Sequence, residues 1–324
     1  MDKTAFSQNG HSHSGDPSSA QEGAGCCPVC RPQPRVWHGT VPILSNRLVA
    51  EQTYRMSLVC PPVAERIVPG QFVMVRLPGV VDPLFGRALA LYDLVRDSED
   101  RPIGLHLVYR VVGRVTGRLA RLAPGDRLEL WGPLGNGFAP EPVGHLLMVA
   151  GGIGLTPFLA LGLEALGRCR YGNPARPAPW AQKVSFCYGE RTAALLAPVE
   201  EFRQAGIDVY LSTEDGSVGH RGLVTDLIEP IAAPSAPDCR IVCCGPEPMM
   251  AATAQIARRL GLACQASLER PMACGLGLCF SCVVRVRDAA GGWDYRRVCV
   301  DGPVLDAHQI LWDTEPERGT GPLG

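Results

Sequence analysis

Apolar residues in the first part of the chain fall on alternate positions. Thr53-Tyr-Arg-Met-Ser-Leu-Val59, Gln71-Phe-Val-Met-Val-Arg76, Gly104-Leu-His-Leu-Val-Tyr-Arg-Val-Val112 and Asp126-Arg-Leu-Glu-Leu-Trp131 read as half-buried strands, and Pro69-Gly70, Pro78-Gly79 and Pro124-Gly125 mark turns between them. Short, evenly spaced strands predict a small closed Greek-key β-barrel over residues 36–140. The pattern then changes. Leu146-Leu-Met-Val-Ala150 is continuously apolar, as in a parallel strand covered on both faces. Val184–Tyr188, Ile207–Leu211 and Arg240–Cys244 are further strand candidates, and Met249, Ala252, Ile256 and Leu260 then repeat at helical spacing. Strand alternating with helix predicts a doubly wound α/β nucleotide-binding domain over 141–268. A small C-terminal domain (269–315) and a flexible tail (316–324) complete an α+β multidomain chain.

Residues 1–35 break both patterns. They are rich in Ser, Gly, Gln, Pro and His, and read as a disordered extension. Cys26, Cys27 and Cys30, with His11 and His13 upstream, make an incomplete zinc pattern there. The formal net charge of −1 gives no footprint for nucleic acid or an anionic membrane. No apolar run reaches bilayer length and the start lacks a signal-peptide layout. With 14 cysteines and no export signal, the expected compartment is the reducing cytoplasm. Cys60, Cys169, Cys187, Cys239, Cys243 and Cys264 sit among apolar residues and read mostly as small buried hydrophobes.

Four other cysteines carry chemistry. Met272-Ala-Cys-Gly-Leu-Gly-Leu-Cys-Phe-Ser-Cys282 spaces Cys274, Cys279 and Cys282 as C-x4-C-x2-C, and Cys299 follows in Arg297-Val-Cys-Val-Asp-Gly-Pro303. That opening is the plant-type pattern for a [2Fe–2S] cluster held by four thiolates. Gly275 and Gly277 allow positive φ and a close backbone approach to the sulfurs. Val283–Arg287, a turn over Asp288–Gly292, and Trp293–Val298 predict a hairpin that returns Cys299 to the others. Disulfides do not suit the expected compartment. A structural zinc site prefers two C-x2-C pairs, and one is present here.

Two further segments suit nucleotides. Gly151-Gly-Ile-Gly154 joins a predicted strand to a predicted helix, where N–H groups can hold a pyrophosphate; Thr156 is placed to cap that helix, with Pro157 in its first turn. Cys244-Gly245 ends another strand of the same sheet, so both loops open on its carboxyl edge. Glu214, after the third strand and without an adjoining arginine cluster, favours NAD over NADP. In the barrel, Arg87-Ala-Leu-Ala-Leu-Tyr-Asp93 begins with an arginine suited to a phosphate, and Tyr109-Arg-Val-Val-Gly-Arg-Val-Thr116 ends a strand with Gly113 and Thr116. Read singly, each of these also fits a purely structural part.

In this order, barrel, nucleotide domain and cysteine segment resemble the ferredoxin-reductase superfamily with a C-terminal cluster. The resemblance, over about residues 36–312, is nearest to the electron-transfer subunits of NAD-dependent dihydroorotate dehydrogenase B. Gly132-Pro-Leu-Gly-Asn-Gly-Phe138 and Gly151–Pro157 add to it. It implies FAD on Arg87, Ala88, Leu89, Ala90, Tyr109, Arg110, Val111, Gly113 and Thr116. It implies NAD on Gly151, Gly152, Gly154, Thr156, Glu214, Cys244 and Gly245, and the cluster on Cys274, Cys279, Cys282 and Cys299. Where that family reads Arg-Pro-x-Ser-Ile, this chain reads Arg87-Ala-Leu-Ala-Leu91, so one flavin contact is lost. The resemblance further implies a separate FMN-containing catalytic subunit, a heterotetramer of two subunits of each kind, and passage of electrons from dihydroorotate to NAD+ in pyrimidine synthesis. A flavin is needed because nicotinamide takes hydride pairs and a cluster takes single electrons. Similar modules serve sulfhydrogenases and NADH-dependent ferredoxin:NADP oxidoreductases; a zinc-bound or redox-sensing adaptor is the non-enzyme alternative.

Overall fold

The computed structural model describes residues 36–288 and 291–312. The extension 1–35 with Cys26, Cys27 and Cys30, the tail 316–324, and two residues of the Asp288–Gly292 turn lie outside the described residues.

Six strands, β1 (Trp37–Ala50), β2 (Thr53–Val59), β3 (Phe72–Arg76), β4 (Arg87–Arg96), β5 (Pro102–Arg110) and β6 (Arg127–Leu134), close an antiparallel barrel in the order β1-β2-β5-β4-β3-β6. The two-residue period explains its filling. Met56 and Leu58, Val73 and Val75, Leu89 and Leu91, Leu105 and Leu107, and Leu128 and Leu130 all turn into one core. Short helices α1 (Pro61–Ala64) and α2 (Arg114–Leu119) follow β2 and β5.

Six more strands form a parallel sheet: β7 (Val143–Gly151), β8 (Ala181–Glu190), β9 (Asp208–Thr213), β10 (His220–Arg221), β11 (Cys239–Cys244) and β12 (Ala263–Ser267). Between them run α3 (Phe158–Ala165), α4 (Glu200–Gln204), α5 (Ile228–Ala232) and α6 (Glu247–Leu260). The strand order β10-β9-β8-β7-β11-β12 reverses between β7 and β11, the place where doubly wound sheets open a crevice.

Two local expectations need correction. Thr156 does not cap α3: Gly152–Leu155 already winds as a 3₁₀ turn, Thr156 ends that turn with its side chain buried, and Pro157 precedes the helix. In α6 the face packed deepest is Met250, Ala251, Thr253, Ala254 and Ala257, whereas Met249, Ile256 and Leu260 are only partly buried. Small residues let this helix approach the sheet closely, so the bulkiest side chains do not mark its buried face.

β13 (Val283–Arg287) and β14 (Trp293–Arg297) form the expected hairpin. β15 (Val304–Asp306) then joins the large sheet, antiparallel to β12, with Ser267 opposite Val304. One core runs from Phe72, Met74 and Leu134 of the barrel, past β11, β12 and α6, to Cys282, Val284, Cys299, Ile310 and Trp312. Among the described residues no helix is long and apolar enough to cross a membrane.

Candidate functional site

A cleft of about 820 Å³ opens where the start of β4 and the end of β5 face the sheet. Its walls include Arg87, Ala88, Leu89, Ala90, Tyr109, Arg110 and Thr116, so most residues expected to hold FAD converge, within the size range of cofactor sites; Thr156 and Cys244, expected with NAD, line this cleft and not the second. Val111 and Gly113 flank it without lining it. The side chains differ in what they offer. Arg87 donates to the carbonyls of Phe85 and Gly86, at 3.3 and 2.9 Å, and is exposed enough to exchange these for a phosphate. Tyr109 is a barrel residue: its hydroxyl donates to Asn46 at 3.0 Å and its ring stacks on Tyr54. The Thr116 hydroxyl accepts the N–H groups of Val112 and Gly113, at 3.0 and 3.1 Å, which secures the start of α2. Cys244 is buried, and burial first, then the Glu269 carboxylate, pushes its thiol well up, so it stays neutral.

A second cleft of about 410 Å³ lies over the carboxyl edge of the sheet. Gly151, Gly152 and Glu214 line it as expected. Gly154 and Gly245 do not; they let two loops touch. A Cβ on Gly154 would fall 2.1 Å from the Cys244 carbonyl oxygen, and Gly245 has φ +150 with its own added Cβ 2.8 Å from the Gly151 oxygen. The Cys244–Pro246 loop therefore borders both clefts, Cys244 in the first and Pro246 in the second. Arg110 also lines both, and forms an ion pair with Glu190, whose side chain is 3% exposed. Arg191 lines the second cleft with Glu214, so a guanidinium stands near the carboxylate that sequence reading treated alone.

The four cysteines come together in two pairs. Cys274 and Cys279 have sulfurs 3.3 Å apart, and Cys282 and Cys299 are hydrogen-bonded neighbours. Among the described residues no three His, Cys, Asp or Glu side chains close around one metal ion. Gly275 and Gly277 have φ of +71 and +80, and the Leu276 N–H donates to Cys274 Sγ at 3.2 Å. The barrel grips the loop: Trp131 Nε1 donates to the Cys274 carbonyl at 2.9 Å. The Ser281 hydroxyl first, then nearby amides, holds the exposed Cys279 thiol down to about 6. Burial first, then Cys282, pushes Cys299 up to about 12. A buried pair of this kind ionises when a metal supplies the opposing charge. Four soft donors in two pairs, with amides turned toward sulfur, fit a two-iron cluster.

Cluster loop and first cleft share a wall, since Leu268 to Ala273 and Ser281 line that cleft. Sequence reading missed Glu190, Arg191, Glu269 and Ser281. The signal for Glu190 was a charge at the carboxyl end of a predicted parallel strand; for Ser281 it was a hydroxyl between two ligand cysteines. Glu269 is open to the cleft's solvent, while the protein crowded round it pushes its carboxyl up, a shift the solvent tempers.

Residues 269–311 match the model for the iron–sulfur cluster binding domain of dihydroorotate dehydrogenase B. The chain is 34% identical over 277 residues to the dihydroorotate dehydrogenase B (NAD(+)) electron transfer subunit of Caldanaerobacter subterraneus, covering 85% of this chain and 99% of that one. It is 37% identical over 272 residues to the subunit of the same name from Bacillus caldolyticus, covering 83% and 96%. Among solved structures, a chain of an NADH-dependent reduced ferredoxin-NADP oxidoreductase superposes with TM-score 0.69 at 28% identity, over 84% of this chain and 90% of the other. A ferredoxin NADP+ reductase from Neisseria gonorrhoeae, solved with FAD and NADP bound, shares the fold, with TM-score 0.56 at 17% identity over 71% of this chain and 99% of the other.

Proposed function

Because the chain belongs to the electron-transfer subunits of dihydroorotate dehydrogenase B (NAD(+)), we propose that it carries electrons from a catalytic partner subunit to NAD+. The observation that carries this reading is the contiguity of three sites: the cysteine loop walls the first cleft, and Arg110 and the Cys244–Pro246 loop border both clefts. When bound, FAD would supply the exchange between hydride pairs and single electrons, and the [2Fe–2S] cluster the single-electron passage.

In this reading Arg87 meets the FAD pyrophosphate, and the apolar Ala88–Ala90 edge lies along the flavin. Gly151 and Gly152 leave room for the dinucleotide backbone, while Glu214 accepts hydrogen bonds from a ribose. Arg110 keeps Glu190 neutralised where the clefts meet, so an anionic dinucleotide does not face an unpaired carboxylate. Cys274, Cys279, Cys282 and Cys299 hold the iron.

The partner bears FMN, binds dihydroorotate, and assembles two-and-two with this subunit in the cytoplasm. Leu276, Leu278 and Phe280 lie 42%, 79% and 61% exposed around Cys279, which supports docking at the cluster loop. The test is kinetic. FAD- and iron-loaded protein alone should oxidise NADH with an artificial acceptor, and should reduce NAD+ with dihydroorotate only when the catalytic subunit is added. A loaded protein inert toward NADH would overturn the proposal. Activity restored by a ferredoxin:NADP oxidoreductase partner, and not by the dihydroorotate-oxidising one, would reassign the partner.

A further inference from the structure

Ser281 lines the flavin cleft and also touches Cys279. Its Oγ lies 3.1 Å from Cys279 Sγ and 3.3 Å from the Pro271 carbonyl oxygen, and it accepts the Ala273 N–H at 3.3 Å. Pro271, Ala273 and Ser281 all line the cleft. A hydroxyl has one proton to give. With the Ala273 N–H directed at its oxygen, that proton has two acceptors in reach, the sulfur and the Pro271 carbonyl. A ligating sulfur is an anion, and a charge-assisted hydrogen bond is roughly twice as strong as a neutral one, so the proton turns to sulfur once Cys279 binds iron.

We propose that Ser281 is a positioning residue for electron transfer, whose hydroxyl donates to the Cys279 ligand and raises the reduction potential of the centre that Cys279 helps to hold. A donor on a ligand sulfur stabilises the more negative, reduced state, and such outer hydrogen bonds set cluster potentials. The inference rests on the cluster reading of the four cysteines and concerns this chain's own hydroxyl.

The experiment is a redox titration followed by electron paramagnetic resonance on protein loaded anaerobically with iron, sulfide and FAD. Ser281→Ala should hold wild-type iron and sulfide with a more negative midpoint, and Ser281→Thr, which keeps the hydroxyl, should restore the wild-type midpoint. Wild-type protein that binds no iron removes the cluster reading itself. A fully loaded S281A with an unchanged midpoint overturns only the role of Ser281. If S281A does not retain iron, electron–nuclear double resonance on the reduced wild-type protein decides. It should show a fast-exchanging hydroxyl proton coupled to the cluster that S281T keeps, and its absence overturns the proposal.

Discussion

Gly154→Ala probes the packing that holds the two clefts together. The new methyl would lie 2.1 Å from the Cys244 carbonyl oxygen, 2.4 Å from its carbon and 2.7 Å from the Gly245 nitrogen. These are backbone atoms that no rotamer change can move aside. The Cys244–Gly245 loop must retreat by about 1 Å to restore ordinary contact in a close-packed interior. Overpacking of this kind costs roughly 1–3 kcal/mol, which in a chain of this size lowers Tm by roughly 2–5 °C. The same retreat moves the strip bordering both clefts, and a misplacement of about 1 Å can cost on the order of 100-fold in rate. Gly152→Ala is the control. Its φ is +61, but its Cβ would meet nothing nearer than Arg110 at 3.5 Å, so it carries only the left-handed strain of roughly 1–2 kcal/mol. Differential scanning calorimetry reads both variants, and NADH oxidation with an artificial acceptor reads G154A; Gly152 itself lines the second cleft, so its variant is compared in Tm alone. The reasoning fails if G154A keeps the wild-type Tm and KM, or if G152A lowers Tm more than G154A does.

Two further outcomes are expected. Cys299→Ser should lose iron and the broad visible absorption of a cluster, whereas Cys239→Ser, another buried thiol, should keep both; equal iron contents would undo the ligand assignment. Burial first, then the Arg55 charge, pulls His106 from 6.5 down to about 4, and its ring contacts Ser57 Oγ at 2.8 Å. Between those pH values the unfolded chain binds a proton that the folded chain refuses. Stability is therefore full above 6.5 and drains as pH falls toward 4, by up to about 3 kcal/mol. The Tm difference between wild type and His106→Asn should shrink over that window, and a constant difference would show that the ring does not titrate as argued.

Strong periodic signals carried most of the architecture. Alternation marked β2, β3, β5 and β6, and a continuous apolar run marked β7, because each strand's surroundings impose that period. β12 and β15 were not legible. Ala263-Cys-Gln-Ala-Ser267 is short, with small and polar residues, and its pairing with Val304–Asp306 joins segments far apart in the chain. The cluster-binding segment was readable because its cysteine spacing is local in sequence. The Arg110–Glu190 pair was not, since barrel and sheet supply one partner each across 80 residues. Thr156 misled because an N-cap preference is weak beside a 3₁₀ turn already begun at Gly152.

Ser267 and Val304 stand opposite each other, and the Leu268 N–H donates to the Pro303 carbonyl at 2.9 Å, so the iron-carrying stretch leaves the sheet and re-enters it at one doorway. Topologically it is a detour that a tight turn could bypass. Chemically it is no such thing, because Leu268, Pro271 and Pro303, at its two thresholds, also panel the cleft proposed for the flavin. Whatever slackens the detour slackens that cleft. Demetallation and flavin release should then belong to one event, and a preparation stripped of iron should shed its yellow colour sooner than an intact one.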